Sequence, residues 1–195
     1  MPTVYLIRHT KPDVPKGICY GQSDVPLATS FLEESDRTLA IFRSLVSTDP
    51  VKFVSSPLQR SLRLAQVLSG WQEVQTDERL KEMNFGAWEM QAWGAIDEFM
   101  LNAWMRDFVS LAPPDGETFQ ALVRRSVQAL EDAVADLPEG YENLCLVAHA
   151  GIVRALLAHV LEIPLPKAFS LEIDYGSISA IRYDALYSSV LFMNR

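Results

Sequence analysis

The chain has 195 residues, 25 acidic and 17 basic side chains, a formal charge of −8 and a hydrophobic fraction of 49%. That length suits one domain spanning residues 1–195, and the apolar fraction is ample for a core. A pI near 4.9 argues against non-specific nucleic-acid binding, which needs an excess of surface Lys and Arg, although a local anion site can still sit within an acidic protein.

In chain order, the start of the sequence carries no signal-peptide pattern and meets a charge at Arg8 at once. No apolar stretch reaches the roughly 18 residues of a membrane span, so a cytoplasmic protein without a membrane partner is expected. Val4 to Ile7 reads as a short buried strand, and Lys11 to Pro26, punctuated by Gly, Pro and Asp, reads as a long loop. A helix is predicted from about Ser30 to Ser47, then a strand from Val51 to Val54 after the Asp49-Pro50 break. Ser56-Pro57 is a helix start, since Ser caps free amides and Pro tolerates the first helical position, and Leu58, Leu62, Ala65 and Leu68 form that helix's apolar stripe.

After Gly116, Phe119, Leu122, Val123, Val127, Leu130 and Val134 recur at helical spacing. Asn143 to Ala148 is a third strand, followed directly by a helix from about Ala150 to Leu161. Strands are predicted at Ser170–Asp174, Ser177–Tyr183 and Ser188–Met193. This alternation implies an α/β fold, a three-layer α/β/α sandwich on a mostly parallel sheet. Cys19 and Cys145 are too few and too distant for a disulfide framework or a zinc knuckle, and three histidines are too few for an all-histidine metal site.

Ligands in open α/β sheets bind beyond the carboxyl ends of the strands. Arg8 and His9 follow the first strand, Arg60 lies in the first turn after the second, and His149 follows the third. Two imidazoles and two guanidiniums thus converge on one rim, a set suited to a small dianion.

Four segments resemble motifs of the histidine phosphatase superfamily, which includes the cofactor-dependent phosphoglycerate mutases. Leu6-Ile7-Arg8-His9-Thr10 is similar to its Arg-His-Gly signature, and Ser55-Ser56-Pro57-Leu58-Gln59-Arg60 to its phosphate-binding arginine motif. Leu80 to Glu89 resembles the segment that carries the family's acid, here Glu82, and His149-Ala150-Gly151 stands where the family has its second histidine. The loop Gly17 to Leu27, read with Arg8 to Pro12, looks most like the α-ribazole phosphatases, which remove a phosphate late in cobalamin assembly. Thr10 and Ala150 replace family glycines, and the Asn of the mutase loop has no counterpart near Pro15 and Lys16, which counts against mutase chemistry.

The resemblance and the residue chemistry together imply a phosphomonoesterase acting on a small phosphate ester. Neutral imidazole can attack a dianionic ester that would repel a carboxylate, so His9 is the expected nucleophile, with its other ring nitrogen held by a backbone carbonyl of its own loop. Arg8, Arg60 and a protonated His149 are expected to bind phosphate, and Glu82 to protonate the leaving group and then activate water. The arginines supply the charge a metal supplies elsewhere, so no metal and no cofactor are expected.

Gln22 and Ser23 are candidate substrate contacts. Glu89 is the competing acid, but the family pattern sets it outside the site and a solvated helix-start residue is expected; His159 is expected to be structural. Trp88, Trp93, Phe99, Trp104 and Phe108 mark residues 83–115 as a helical lid, with the aromatics read mainly as packing. The alternatives are a broad-specificity phosphatase, a phosphoglycerate mutase or a catalytically silent phospho-ligand binding module.

Overall fold

The computed structural model describes residues 1–46, 50–184 and 186–195. Six strands, β1 (Thr3–Arg8), β2 (Val51–Ser55), β3 (Gln75–Thr76), β4 (Asn143–Ala148), β5 (Ile178–Tyr183) and β6 (Ser188–Phe192), form one sheet in the order β3-β2-β4-β1-β5-β6. The pairs β3/β2, β2/β4 and β4/β1 are parallel, while β5 runs antiparallel to both β1 and β6.

Alternation along the strands sorts the core into two layers. Val4 and Leu6 of β1 join Leu144 and Leu146 of β4 on one face, beneath α4 (Phe119–Ala135) and α5 (Ala150–Val160). Tyr5, Ile7, Cys145 and Val147 point the other way and pack on α1 (Phe31–Leu45) and α2 (Gln59–Leu68). Strands buried on both faces with crossover helices give the expected three-layer α/β/α sandwich. Each fully buried Leu or Ile contributes roughly 1.5–3 kcal/mol, so these two layers hold the strand ends in place.

Three local expectations change. The first helix ends at Leu45, and Ser47 and Asp49 lie outside the described residues. The second helix starts at Gln59 with Leu58 at its cap position; the Ser56 hydroxyl lies 2.9 Å from His149 and accepts only a long contact, 3.4 Å, from the Leu58 N–H, and Leu64, rather than Leu62, joins the buried face. Ser170–Asp174 is not a strand: a 3-10 turn covers Leu165–Ser170, and the carbonyls of Leu171 and Ile173 accept from Arg154 and Arg8 rather than from a neighbouring strand.

Between β3 and α4 the chain is mostly irregular. It contains three 3-10 turns and α3 (Glu98–Arg106), a helix capped by Asp97, whose carboxylate accepts from the Met100 N–H at 2.9 Å.

Candidate active site

The parallel ladder of β2, β4 and β1 brings three carboxyl ends to one edge. The His9 N–H donates to Ala148 O at 3.0 Å and the Ser56 N–H to Val147 O at 3.0 Å, so the pairing continues one residue beyond each strand. His9 and His149 consequently stand with ring centroids 5.1 Å apart. Nδ1 of His9 lies 2.6 Å from Thr10 O, an acceptor only, which places the proton on Nδ1 and leaves Nε2 as the basic nitrogen.

Both expected arginines reach this rim. Arg60 is fully buried and donates from Nη1 to Ser23 O at 2.8 Å and from Nη2 to Gly21 O at 2.6 Å. Arg8 donates from Nη1 to Ile173 O at 2.6 Å, and its guanidinium lies 3.6 Å from the centre of the Tyr175 ring. Arg8 Nε, Arg60 Nε and His149 Nδ1 are all buried with no partner among the described residues. A buried polar group left unpaired costs about 1–3 kcal/mol, so three around one imidazole mark a place for an acceptor-rich anion.

Burial and the two arginines act on both imidazoles. Burial first, then the charges of Arg60 and Arg8, hold His9 well below the usual imidazole range, against the opposing hydrogen bond to Thr10. Burial, followed by Arg60, His9, Arg125 and Arg8, does the same to His149. These effects favour the neutral form of His149 in this buried site. In that form it can still donate: Ser56 Oγ lies 2.9 Å from Nε2, and a Ser56 O–H donating there leaves the proton on Nδ1, the nitrogen without a protein partner among the described residues.

Glu82 joins the same edge from the segment after β3. Its Oε2 accepts from the Gly151 N–H at 3.0 Å and its Oε1 from the Met83 N–H at 2.9 Å, so the first turn of α5 holds the carboxylate, as helix N-termini do. The absence of a Cβ at Gly151 makes room for this carboxylate, since a Cβ there would overlap Glu82 Oε1 and force it to move. Arg125 of α4 steadies the segment from behind, donating to Lys81 O at 2.6 Å and Glu82 O at 2.9 Å while paired with Glu117 at 2.6 Å. The sequence reading missed Arg125, which sits beside Arg124 on α4 among polar residues such as Gln128 and Asp132 and carries no local signal.

Gln22 and Ser23 lie at the rim, but their polar groups serve the loop. Gln22 Nε2 donates to Glu82 O at 3.0 Å, and the Ser23 hydroxyl donates to Glu89. Glu89 is not the solvated helix-start residue expected. It is half-buried, ends a 3-10 turn, and accepts from the backbone N–H groups of Gln22 at 2.7 Å, Ser23 at 2.6 Å and Phe85 at 3.2 Å. Since Gly21 and Ser23 present the carbonyls that hold Arg60, Glu89 orients that arginine through the loop.

Tyr20 and Tyr175, also missed, share a 2.8 Å contact between hydroxyls, Tyr20 beside Arg60 and Tyr175 over Arg8. His159 is exposed in the last turn of α5, near Tyr183 and at the end of the helix away from the rim. Trp88, Trp93, Trp104 and Phe108 pack on one another and on Phe85, whereas Phe99 is 83% exposed and outside the cluster. Among the described residues no group of three or more His, Cys, Asp or Glu is placed to hold a metal ion.

The chain is similar to known phosphatases. The chain is 30% identical to the adenosylcobalamin/alpha-ribazole phosphatase of Escherichia coli strain K12, over 98% of this chain and 95% of that one. It is 29% identical to the glucosyl-3-phosphoglycerate phosphatase of Mycolicibacterium vanbaalenii, over 82% and 74% of the two chains. The crystal structure of the alpha-ribazole phosphatase from Shigella flexneri superposes with a TM-score of 0.84 at 26% identity, covering 99% of this chain and 96% of that one. Residues 4–195 match the histidine phosphatase superfamily (branch 1), and the chain belongs to that family.

Proposed function

We propose that the protein is a metal-independent phosphomonoesterase that works through a phosphohistidine on His9, with α-ribazole 5′-phosphate as its substrate. The observation that carries this reading is the set of three unpartnered buried nitrogens, on Arg8, Arg60 and His149, around an imidazole whose Nε2 is free to attack. The relatives named for α-ribazole and the Gly17–Leu27 loop support this choice of substrate.

In the first step His9 Nε2 bonds to phosphorus as the P–O ester bond breaks, and Glu82 gives its proton to the departing alkoxide. The guanidiniums of Arg8 and Arg60 and the Nδ1–H of His149 hold the equatorial oxygens, where charge is spread in the transition state. Water then attacks phosphorus, Glu82 takes a proton from it, the P–N bond breaks, and inorganic phosphate leaves. Two fixed cations supply the charge stabilisation, so these steps call on no metal.

Residues 1–195 act in this reading as one catalytic domain with 83–115 as its lid, and the protein works in the cytoplasm. Among the described residues no helix is long and apolar enough to cross a membrane.

A brief reaction with ³²P-labelled ester, quenched in alkali to preserve phosphohistidine, should leave protein-bound label that maps to His9. His9→Ala should lower kcat about 10³-fold or more and abolish the label, and EDTA should have no effect. Full turnover by His9→Ala, or its loss with EDTA, would sink the proposal. Label passing to a second substrate hydroxyl rather than to water would make the enzyme a mutase.

A further inference from the structure

The leaving group must depart on the side of Glu82, because attacking and departing atoms lie in line across phosphorus and the acid must touch the departing oxygen. Glu82 is held by the N–H of Gly151. Arg154 lies three residues further along α5, so it shares that helix face, and helical side chains lean toward the helix N-terminus. Its guanidinium is fixed on two sides: Nε–H donates to Leu171 O at 2.9 Å, and the plane lies 5.1 Å from the centre of the Phe169 ring.

Phe169 is itself braced edge-on by Phe108 of the 83–115 segment, ring centroids 4.8 Å apart, yet is 48% exposed. Neither Nη atom of Arg154 has a hydrogen bond or ion pair to the protein among the described residues. A half-buried arginine with an oriented fork and two free ends, next to an exposed aromatic face, differs from a solvated surface cation. Its geometry suits oxygen acceptors presented in a plane.

We infer that Arg154 and Phe169 form the leaving-group subsite, and that Arg154 determines specificity by binding oxygen acceptors that the alcohol carries within a few carbons of the ester oxygen. This rests on the phosphatase reading given above and deepens it. The substrate class is a phosphate ester whose alcohol carries such acceptors, with any planar ring lying against Phe169. Two kinds of alcohol present this chemistry: a ribose with its ring oxygen and vicinal hydroxyls, and a short hydroxy acid with its carboxylate. An alcohol without acceptors gains nothing from the fork.

The test measures kcat/KM on α-ribazole 5′-phosphate, phosphoserine and phenyl phosphate for the wild-type enzyme, Arg154→Met and Arg154→Lys. In the wild type the preferred ester identifies which acceptor the fork takes, diol or carboxylate. Arg154→Met should lower the ratio of that ester's kcat/KM to the phenyl phosphate value by roughly 10- to 100-fold, the value of a charge-assisted hydrogen bond pair. Arg154→Lys, which keeps charge and reach but loses the fork, should recover only part of the ratio and serves alone if the Met variant does not fold. Equal losses on all three esters, leaving the ratio intact, would make Arg154 a mere tether for Leu171 and overturn the inference while the phosphatase reading stands. Absence of His9-dependent turnover on every ester would overturn both.

Discussion

The two halves of the site are built in different ways. The phosphate half, Arg8, His9 and His149, sits directly on the ends of β1 and β4, and its backbone is an extension of the parallel ladder. The half around Glu82 has no strand beneath it; its carboxylate, its carbonyl and the facing loop are placed by Gly151, Arg125, Gln22 and Glu89 through individual hydrogen bonds. Ladder pairing is cooperative and tolerates change in any one side chain. A chain of single contacts fails at whichever contact is removed. The nucleophilic half should therefore survive most distant substitutions, while the acid half should be exposed to them.

The sharpest way to break this contrast is Gly151→Ala. The added Cβ must displace the Glu82 carboxylate, and kcat should fall about 10²- to 10⁴-fold, the range for loss of a general acid. KM should move far less, since Arg8 and Arg60 are untouched. Steady-state kinetics alongside circular dichroism would decide it, and a variant with normal kcat would mean that α5 does not position the acid.

Glu89→Gln should act more gently and on the other parameter. An amide cannot satisfy all the donors that converge on Glu89, so the Gly21–Ser23 carbonyls lose their anchor and Arg60 its alignment. A loss of roughly tenfold in affinity for inorganic phosphate, read as its inhibition constant, is the expected result. A pure drop in kcat with phosphate inhibition unchanged would place Glu89 in the service of Glu82 instead.

The smallest effect sharpens the picture of the phosphate half. His9 and His149 are neutral in the fold because burial and the arginines depress them, whereas in the unfolded chain they take up protons near pH 6.5. The unfolded state thus binds more protons, and stability should decline as pH falls below about 6.5, by up to about 1.4 kcal/mol per pH unit for each histidine. Urea unfolding between about pH 5 and 7 would show it, and His149→Gln should remove one proton from the slope. A flat profile would mean that the imidazoles are charged in the fold.

The same division governs what could be read from the amino acids alone. The strands and the residues immediately after them were legible because apolar runs and the charges that end them are local signals; Arg8, His9, Arg60 and His149 all belong to this kind. The opposing half was less so. Glu82 was identified by its motif, but Arg125 contacts it from 43 residues away and Glu89 reaches Gln22 across 67, separations that no periodicity encodes. Ser170–Asp174 looked like a strand because its apolar residues alternate; side-chain donors took its carbonyls and no ladder formed. The aromatics of the 83–115 segment pack largely as expected, apart from Phe99.

Central β4 has one more consequence. It is hydrogen-bonded to β1 on one side and β2 on the other, with Arg8 opposite Ala148 and Ser55 opposite Val147. Side chains alternate along a strand, so a slip of one residue in the β1/β4 pairing would send Val4 and Leu6 to the layer that holds Tyr5 and Ile7, and one in the β2/β4 pairing would exchange Val54 with Phe53 in the same way. The hydrophobic pattern therefore acts as a vernier for the chemistry. The steps of greasy residues that keep α1 and α2 apart from α4 and α5 also index the two imidazoles against each other, and an error in catalytic alignment would have to be an error in folding first.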